Sequence, residues 1–157
     1  MPNSKSVQLF QYSDANFIVH HTVSENFEDP YTRLHMHTMY ELYCFLDGEG
    51  VFTVEGNTYK LESGMILLMR PVEAHSAKIV STRRYERIAV HFTPNFQESE
   101  TVKNILQSFE SHESGDENCF FCNEETEYHI RLLREMSNPA LIGNIRACAL
   151  ALQANLP

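Results

Sequence analysis

Two histidines and a glutamate precede a short apolar run in the first third of the chain, and this stretch constrains the fold more than any other. The run at 42–46 is Leu-Tyr-Cys-Phe-Leu, followed by Asp-Gly-Glu-Gly, a combination typical of a β-strand that ends in a turn. Side chains alternate between two faces of a strand. If the chain is extended from residue 33, one face carries Arg33, His35, His37, Glu41, Tyr43 and Phe45. A sheet that needed only a core would not group those residues, so we expect a polar pocket.

Further short segments rich in β-forming residues follow at close spacing, with glycine and proline between them. The predicted strands span residues 17–23, 51–54, 58–61, 65–69, 76–81 and 85–93. Gly56-Asn57 predicts a hairpin turn, and Pro71 ends the continuous apolar run before it. The pattern indicates a mainly β fold, an antiparallel barrel or jelly roll, whose interior has room for one small ligand.

The periodicity becomes helical after Pro94. The apolar stripes are Val102/Ile105/Leu106/Phe109, Ile130/Leu133/Met136 and Leu141/Ile145/Cys148/Leu152. The last two predict helices at 123–136, with Asn123 as N-cap, and at 140–154. One stripe is enough to cover the barrel, and the other would leave leucine and isoleucine in water. We therefore predict a homodimer formed mainly by these two C-terminal helices.

Length and charge limit the function classes. The 157 residues suit one domain with a full core. With 12 basic and 21 acidic residues the net charge is −9, which would repel a phosphate backbone, so we do not expect this chain to bind DNA itself. We expect no membrane association, because no apolar run is long enough to span a bilayer. Residues 1–7 do not resemble a signal peptide, so we expect a cytoplasmic protein, with residues 1–13 as a flexible arm.

The chemistry of the pocket leaves two alternatives open. Imidazole nitrogen and carboxylate oxygen suit divalent zinc, iron, manganese, nickel or copper, and the candidate ligands are His35, His37, Glu41 and His75. The same residues could instead line a polar pocket and hydrogen-bond an effector directly. Together with Arg33 and Tyr43 they offer donors and acceptors, which favours a small hydroxyl-rich or anionic effector, a sugar or sugar derivative.

Other polar and sulfur-containing residues are assigned no role in the pocket. We expect His20 and His21 to be solvent-exposed or core histidines. We expect Glu73, Arg83 and Arg84 to be solvated loop charges. We expect small buried hydrophobic roles for Cys44, Cys119, Cys122 and Cys148.

Two spaced motifs resemble those of the cupin superfamily. The first has the form HxHxxxE followed by glycine, and consists of His35, His37, Glu41 and Gly48. The second consists of Gly64, Pro71 and His75, with Val72 in place of the usual glycine. The resemblance implies a cupin-like barrel in which, in members that are enzymes, the two histidines, the glutamate and the third histidine hold a metal.

The order of motifs along nearly the whole chain resembles the N-terminal effector domain of AraC-type transcriptional regulators. The resemblance implies an effector-binding barrel at 14–93, whose last strand lines the pocket with Arg87 and Ala89, and a helical dimerisation segment at 94–157. It also implies that DNA is contacted through a domain that is not in this chain. The alternative is a metal-dependent cupin enzyme of dioxygenase or sugar isomerase type. The helices after the barrel favour the regulator, so we expect a sensor without enzymatic activity.

Overall fold

The computed structural model describes residues 5–25, 33–81, 84–93, 106–107, 109–120, 124–136 and 138. The strands are β1 (Lys5–Ser13), β2 (Phe17–Glu25), β3 (Tyr40–Asp47), β4 (Gly50–Val54), β5 (Asn57–Lys60), β6 (Ile66–Met69), β7 (His75–Ile79), β8 (Arg84–Phe92) and β9 (Cys119–Phe120). The helix is α1 (Glu124–Met136). No helix in these ranges is both long and apolar enough to cross a membrane.

The strands form two antiparallel sheets that face each other. The larger sheet has the order β1-β2-β8-β3-β6-β9, and the smaller has the order β5-β4-β7. The predicted mainly β, antiparallel fold is confirmed. The hairpin between β4 and β5 turns at Glu55 and Gly56, one residue earlier than predicted, with φ of 47° and 90°. Two successive positive φ values are the mark of the type I′ turn, whose twist matches that of the flanking strands.

The six-stranded sheet buries side chains on both faces. Its inner face meets the smaller sheet in a cluster that includes Tyr43, Phe45 and Tyr85. Its outer face carries Phe17, Leu42 and Ile88 with other apolar residues. Each such side chain stabilises the fold by about 1.5–3 kcal/mol on burial, so both faces contribute to the core.

Helix α1 covers the outer face. Leu132 and Leu133 are buried in the outer cluster and Ile130 packs against it. Phe109, in the helical residues 109–110, is fully buried in the same cluster. The predicted helix at 123–136 is confirmed from Glu124 onward, and Ile130 and Leu133 of its stripe pack on the sheet. The predicted helix at 140–154 lies outside the described residues.

The start of the chain differs from the sequence prediction. Residues 5–13, expected as part of a flexible arm, form the edge strand β1, which pairs along its length with β2. Phe10 is buried in the outer cluster, whereas Val7 and Leu9 are 41% and 49% exposed. The pairing with β2 supplies backbone hydrogen bonds that a polar sequence alone does not reveal.

Candidate metal and effector site

The histidine–glutamate motif passes from one sheet to the other. His35 pairs with His75, the first residue of β7 in the smaller sheet, through backbone hydrogen bonds of 3.0 and 2.9 Å. Bends at residues 38 and 39 follow, and β3 of the larger sheet starts only at Tyr40. A single strand from residue 33 is therefore wrong. The crossing brings His35 and Glu41 towards each other from facing sheets.

Strand register sets the rest of the inner face. On β3 and β8, Glu41 lies opposite His91, Tyr43 opposite Ala89, and Phe45 opposite Arg87. His20 of β2 lies on the other side of Ala89. These pairs have adjacent side chains on one face of the sheet.

A cavity of about 230 Å³ lies between the sheets. It is lined by His20, His35, Glu41, Tyr43, Phe52, His75, Ala77, Tyr85, Arg87, Ala89 and His91. Six of the predicted site residues are in that lining: His35, Glu41, Tyr43, His75, Arg87 and Ala89. His37 contacts Glu41 from beside the cavity. Arg33 is exposed and does not line it.

Five lining residues have no place in the predicted site: His20, Phe52, Ala77, Tyr85 and His91. His91 has the same parity as Arg87 and Ala89, so alternation along β8 groups these three residues on one face. His20 was expected to be solvent-exposed or core, and instead it faces the cavity, 6.3 Å from the His91 ring. The alternation of side chains along β2 does not reveal which of its two faces points towards the smaller sheet.

One oxygen of Glu41 is the meeting point of three imidazoles. Oε2 lies 2.8 Å from His37 Nε2, 3.1 Å from His75 Nε2 and 3.4 Å from His91 Nε2. Burial would raise the pKa of the Glu41 carboxyl, but the three imidazoles, which can donate to it when Nε2 carries a proton, outweigh burial and hold that pKa well below its usual range. Glu41 is therefore a buried carboxylate anion.

The second ring nitrogen of each motif histidine is already used. The Nδ1 atoms of His35, His37 and His75 lie 2.8, 2.7 and 2.8 Å from backbone carbonyl oxygens. A carbonyl only accepts, so each Nδ1 carries the hydrogen and each neutral ring has its lone pair on Nε2. A carbonyl that fixes the ring in this way is the usual outer partner of a metal-bound histidine.

The Nε2 atoms therefore need a positive charge near them. His75 Nε2 is buried and makes no hydrogen bond, and its 3.1 Å contact with Glu41 places a lone pair against a carboxylate oxygen. A proton on the imidazole or a bound cation relieves that repulsion. Burial lowers the pKa of His75, but Glu41 raises it more, and the net shift is upward. The residues present fit a divalent transition metal.

Two groups of ligand atoms share Glu41. They are His35–Glu41–His75 and His37–Glu41–His91, and in each the atoms lie within 4.8 Å of one another. The predicted four ligands are thus brought together, and His91 adds a fifth. By contrast, His20 accepts a hydrogen bond from Gln8 on Nδ1, and burial, with His91 and Arg87, lowers its pKa.

The other end of the cavity contains two phenols and a guanidinium. The hydroxyls of Tyr43 and Tyr85 are 2.5 Å apart, and Arg87 Nη1 donates to the Tyr85 oxygen at 2.9 Å. Burial and the neighbouring Tyr85 raise the pKa of Tyr43 well above its usual value, so Tyr43 stays a phenol at neutral pH. This end is therefore rich in hydrogen-bond donors.

Glu73, expected as a solvated loop charge, is 3% exposed. Its carboxylate accepts hydrogen bonds from the backbone and side chain of Arg70, and from Ser114, Gly115 and Asn118. Burial would raise its pKa, but these donors lower it. Glu73 thus joins the turn before His75 to the segment that leads into β9, a structural role.

The turn before His75 contains a strained residue. Val72 has φ of 67°, a region that β-branched residues rarely occupy. Its N–H donates to the His37 carbonyl at 2.8 Å, which joins the two motifs. This is the position where the cupin motif has glycine, and the backbone retains the conformation that glycine adopts without cost.

The cysteines that the structure describes have no reactive features. Cys44 is fully buried and Cys119 half-buried, both as free thiols. Burial raises the pKa of Cys119 to about 11, so it is protonated at neutral pH. Cys122 and Cys148 lie outside the described residues.

A family model described as the AraC-like ligand binding domain matches residues 18–154. No curated protein sequence matches the chain. The assignment to a family therefore comes from the family model alone.

Similar solved structures include a conserved protein of unknown function from Streptococcus pyogenes, with 12% identity and a TM-score of 0.49 over 57% of this chain and 75% of that one. An RmlC-like cupin family protein from Methanocaldococcus jannaschii has 15% identity and a TM-score of 0.49, over 59% and 84%. A cupin superfamily protein from Desulfitobacterium hafniense has 13% identity and a TM-score of 0.48, over 57% and 78%. Identities this low concern the fold alone, and none of these structures bears on what the cavity binds.

Proposed function

Because the chain belongs to the family of AraC-like ligand-binding domains, we propose that it is the ligand-sensing domain of a bacterial transcription factor of that type. The observation that supports this most is the cavity between the sheets. Charged and polar groups from four strands converge there, among them Glu41, His75 and Arg87.

The effector is a small polar molecule, a sugar or sugar derivative. Glu41 accepts hydrogen bonds at one end of the cavity, and Arg87 donates at the other. The ring of Phe52 adds an apolar surface beside His75, with centroids 5.8 Å apart. A volume of about 230 Å³ is below the 300–1,000 Å³ typical of drug-sized ligand sites, which limits the effector to about one sugar ring.

Thermal-shift and calorimetric screening against sugars and organic acids tests this proposal. A ligand that binds only the folded state raises the midpoint, by a free energy of about 2.7 kcal/mol at a concentration of 100 Kd. Ala89→Leu, which fills the cavity, should abolish the shift. Val80→Leu, at an exposed position, should leave it unchanged. If only strongly apolar compounds raise the midpoint, the polar effector is wrong.

A divalent transition metal, such as zinc, nickel, iron or manganese, is the proposed cofactor. His35, His75 and Glu41 would hold it, with His37 and His91 beside them. The support is chemical: Nε2 lone pairs face a carboxylate, and backbone carbonyls fix the opposite ring nitrogens. When bound, the metal would offer a positive centre for an oxygen of the effector.

Elemental analysis of protein purified without a histidine tag, after equilibration with each metal, tests the cofactor. The wild type should retain metal and His75→Ala should lose it. His20→Ala is the matched control, since it removes a cavity histidine that belongs to neither ligand group. Equal metal content in the wild type and His75→Ala would contradict the proposed metal site.

The domain is also proposed to form a homodimer through its C-terminal helices and to act on DNA through a domain outside this chain. The apolar stripe of α1 packs on the barrel, so the stripe at Leu141, Ile145 and Leu152 is the candidate interface. Ile145→Glu with Leu152→Glu should give soluble monomers by light scattering. A monomeric wild type at tens of micromolar, or unfolding of the double variant, would contradict it.

A further inference from the structure

Arg87 is a charge for which the structure provides no counter-charge. It lies on the inner face of β8, between Thr22 and Phe45 of the neighbouring strands, and it is half-buried. Its guanidinium lies over the ring of Tyr85, 5.1 Å from the centroid, and donates to that residue's hydroxyl. Within the described residues no carboxylate oxygen lies within 4.0 Å of it.

Two other arginines are paired with carboxylates. Arg70 has Glu73 and Glu110 as partners, and Arg84 has Asp47 and Glu86. Three more described arginines have no ion pair within the described residues, but they are exposed to water: Arg33, Arg131 and Arg134. A guanidinium has five N–H donors, and desolvating an unpaired charge is costly. Arg87 is half-buried and lines the cavity, so a ligand can supply the partner that it lacks.

Two phenols lie beside Arg87. The hydroxyls of Tyr43 and Tyr85 are 2.5 Å apart, and the Tyr85 oxygen accepts a hydrogen bond from Arg87. Ala89 follows on the same face of β8 and leaves the space in front of the guanidinium open. The site therefore combines a cation, hydroxyl groups and room for a ligand.

The opposite end of the cavity has the reverse character. Glu41 lies level with His91 on β8, four residues from Arg87, which is about 13 Å along the strand. The cavity of about 230 Å³ between these two ends has room for about one sugar ring. A ligand with an anionic group at one end and hydroxyl groups at the other would match both ends.

We propose that the effector is a hydroxylated carboxylic acid of monosaccharide size, such as a uronic or aldonic acid. Its carboxylate pairs with Arg87 beside Tyr43 and Tyr85, and its hydroxyl oxygens lie at the Glu41–histidine end. One guanidinium balances one negative charge, so a carboxylate fits this end better than a phosphate dianion, which would need more positive charge. This inference rests on the proposed sensing function and narrows its ligand.

A matched ligand series tests it. The wild type is titrated calorimetrically with galacturonate against galactose, glucuronate against glucose, gluconate, and glucose 6-phosphate. At least one acid should bind at least tenfold more tightly than its neutral counterpart and than the phosphate. Arg87→Met should weaken binding of that acid about 100-fold, and should weaken binding of the neutral sugar at least tenfold less than that, because the neutral sugar loses a hydrogen bond but no ion pair.

Arg87→Lys is the matched variant that keeps the charge, and it should retain part of the affinity for the acid. Circular dichroism and thermal midpoints establish that each variant is folded. If Arg87→Met does not fold, the ligand series on the wild type and the affinities of Arg87→Lys still test whether the effector is an acid. The carboxylic-acid proposal is overturned if a neutral sugar or the phosphate binds more tightly than the acids. It is also overturned if Arg87→Met does not weaken binding of the acid. No binding by any polar compound, acidic or neutral, overturns the sensing function as well.

Discussion

The two faces of the six-stranded sheet both bury a histidine beside a glutamate, but the two carboxylates differ in their partners. On the outer face, one oxygen of Glu86 contacts His21 Nε2 at 2.9 Å, and the other accepts from Arg84 at 2.6 Å. On the inner face, three imidazoles contact one oxygen of Glu41, and Arg87 has no carboxylate. Burial by itself therefore does not separate structural from ligand-binding polar groups.

The two faces differ in how completely their charged groups are paired with hydrogen-bond partners and opposite charges. The outer carboxylate has one donor for each oxygen, and the fold needs nothing more to stabilise it. On the inner face, the imidazoles can donate to Glu41 only when Nε2 is protonated, and Arg87 donates to the Tyr85 hydroxyl but pairs with no carboxylate among the described residues. Polar groups of this second kind are costly in an empty site and become favourable when a cation or ligand completes them. The inner face is therefore expected to gain stability from ligands, and the outer face is not.

The largest expected effect is on the outer face. Glu86→Ala leaves Arg84 and His21 without their buried partner and should lower the free energy of unfolding by about 3 kcal/mol. Urea denaturation, monitored by circular dichroism, measures this free energy of unfolding. Glu49→Ala, at an exposed position between β3 and β4, is the control for losing a carboxylate. A loss below that of the control would mean that the outer pair is not structural.

The pH dependence of the same pair gives a smaller effect. Burial raises the pKa of Glu86, but Arg84 and His21 lower it more, so the folded carboxyl has a lower pKa than the unfolded one. Its stabilisation is therefore present above the unfolded pKa of about 4.3 and lost as pH falls through the folded pKa. The stability difference between the wild type and Glu86→Gln should shrink from pH 6 to pH 3. A constant difference would contradict the charged pair.

In alkaline buffer, where the imidazoles are neutral, Glu41→Gln should change the unfolding free energy in the absence of metal by less than about 1 kcal/mol, since it removes a charge that their lone pairs oppose. The same variant should lose the stabilisation that added zinc gives the wild type. Differential scanning calorimetry with zinc and with chelator measures both. If the metal-free variant loses as much stability as Glu86→Ala, the two faces do not differ.

Val72→Gly is expected to have the smallest effect, a gain of about 0.5–1 kcal/mol. It removes a left-handed conformation that costs an L-residue about 1–2 kcal/mol, and the greater entropy of unfolded glycine offsets part of that. Val72→Ala, which keeps a Cβ at positive φ, should gain less. Thermal midpoints compare the two. A less stable glycine variant would show that the turn is not strained.

Local patterns predicted much of the fold because strands and turns depend on neighbouring residues. Alternation correctly placed Glu41, Tyr43 and Phe45 on one face of β3. It failed for Arg33, because bends at residues 38 and 39 interrupt the strand. It also grouped Arg87 with His91, but could not identify the inner face without knowing which sheet packs opposite.

Long-range partners account for the remaining differences. Glu73 is surrounded by donors from Ser114, Gly115 and Asn118, about forty residues further along, and nothing in the local sequence of an acidic turn residue points to them. Residues 5–13 form a strand only because β2 offers an edge. The ligand roles of the site residues stay predictions, since each role depends on the identity of the metal or effector.

The backbone bridge between His35 and His75 sets an order of assembly. It closes a loop of about forty residues, whereas the β4–β5 hairpin lies within that loop and closes over two. Hairpins form within about 1–10 μs, and contacts distant in sequence form later. During refolding, strand signal should therefore appear before the histidines and Glu41 can bind anything. A newly made chain is therefore expected to bind ligands only after its hairpins have formed.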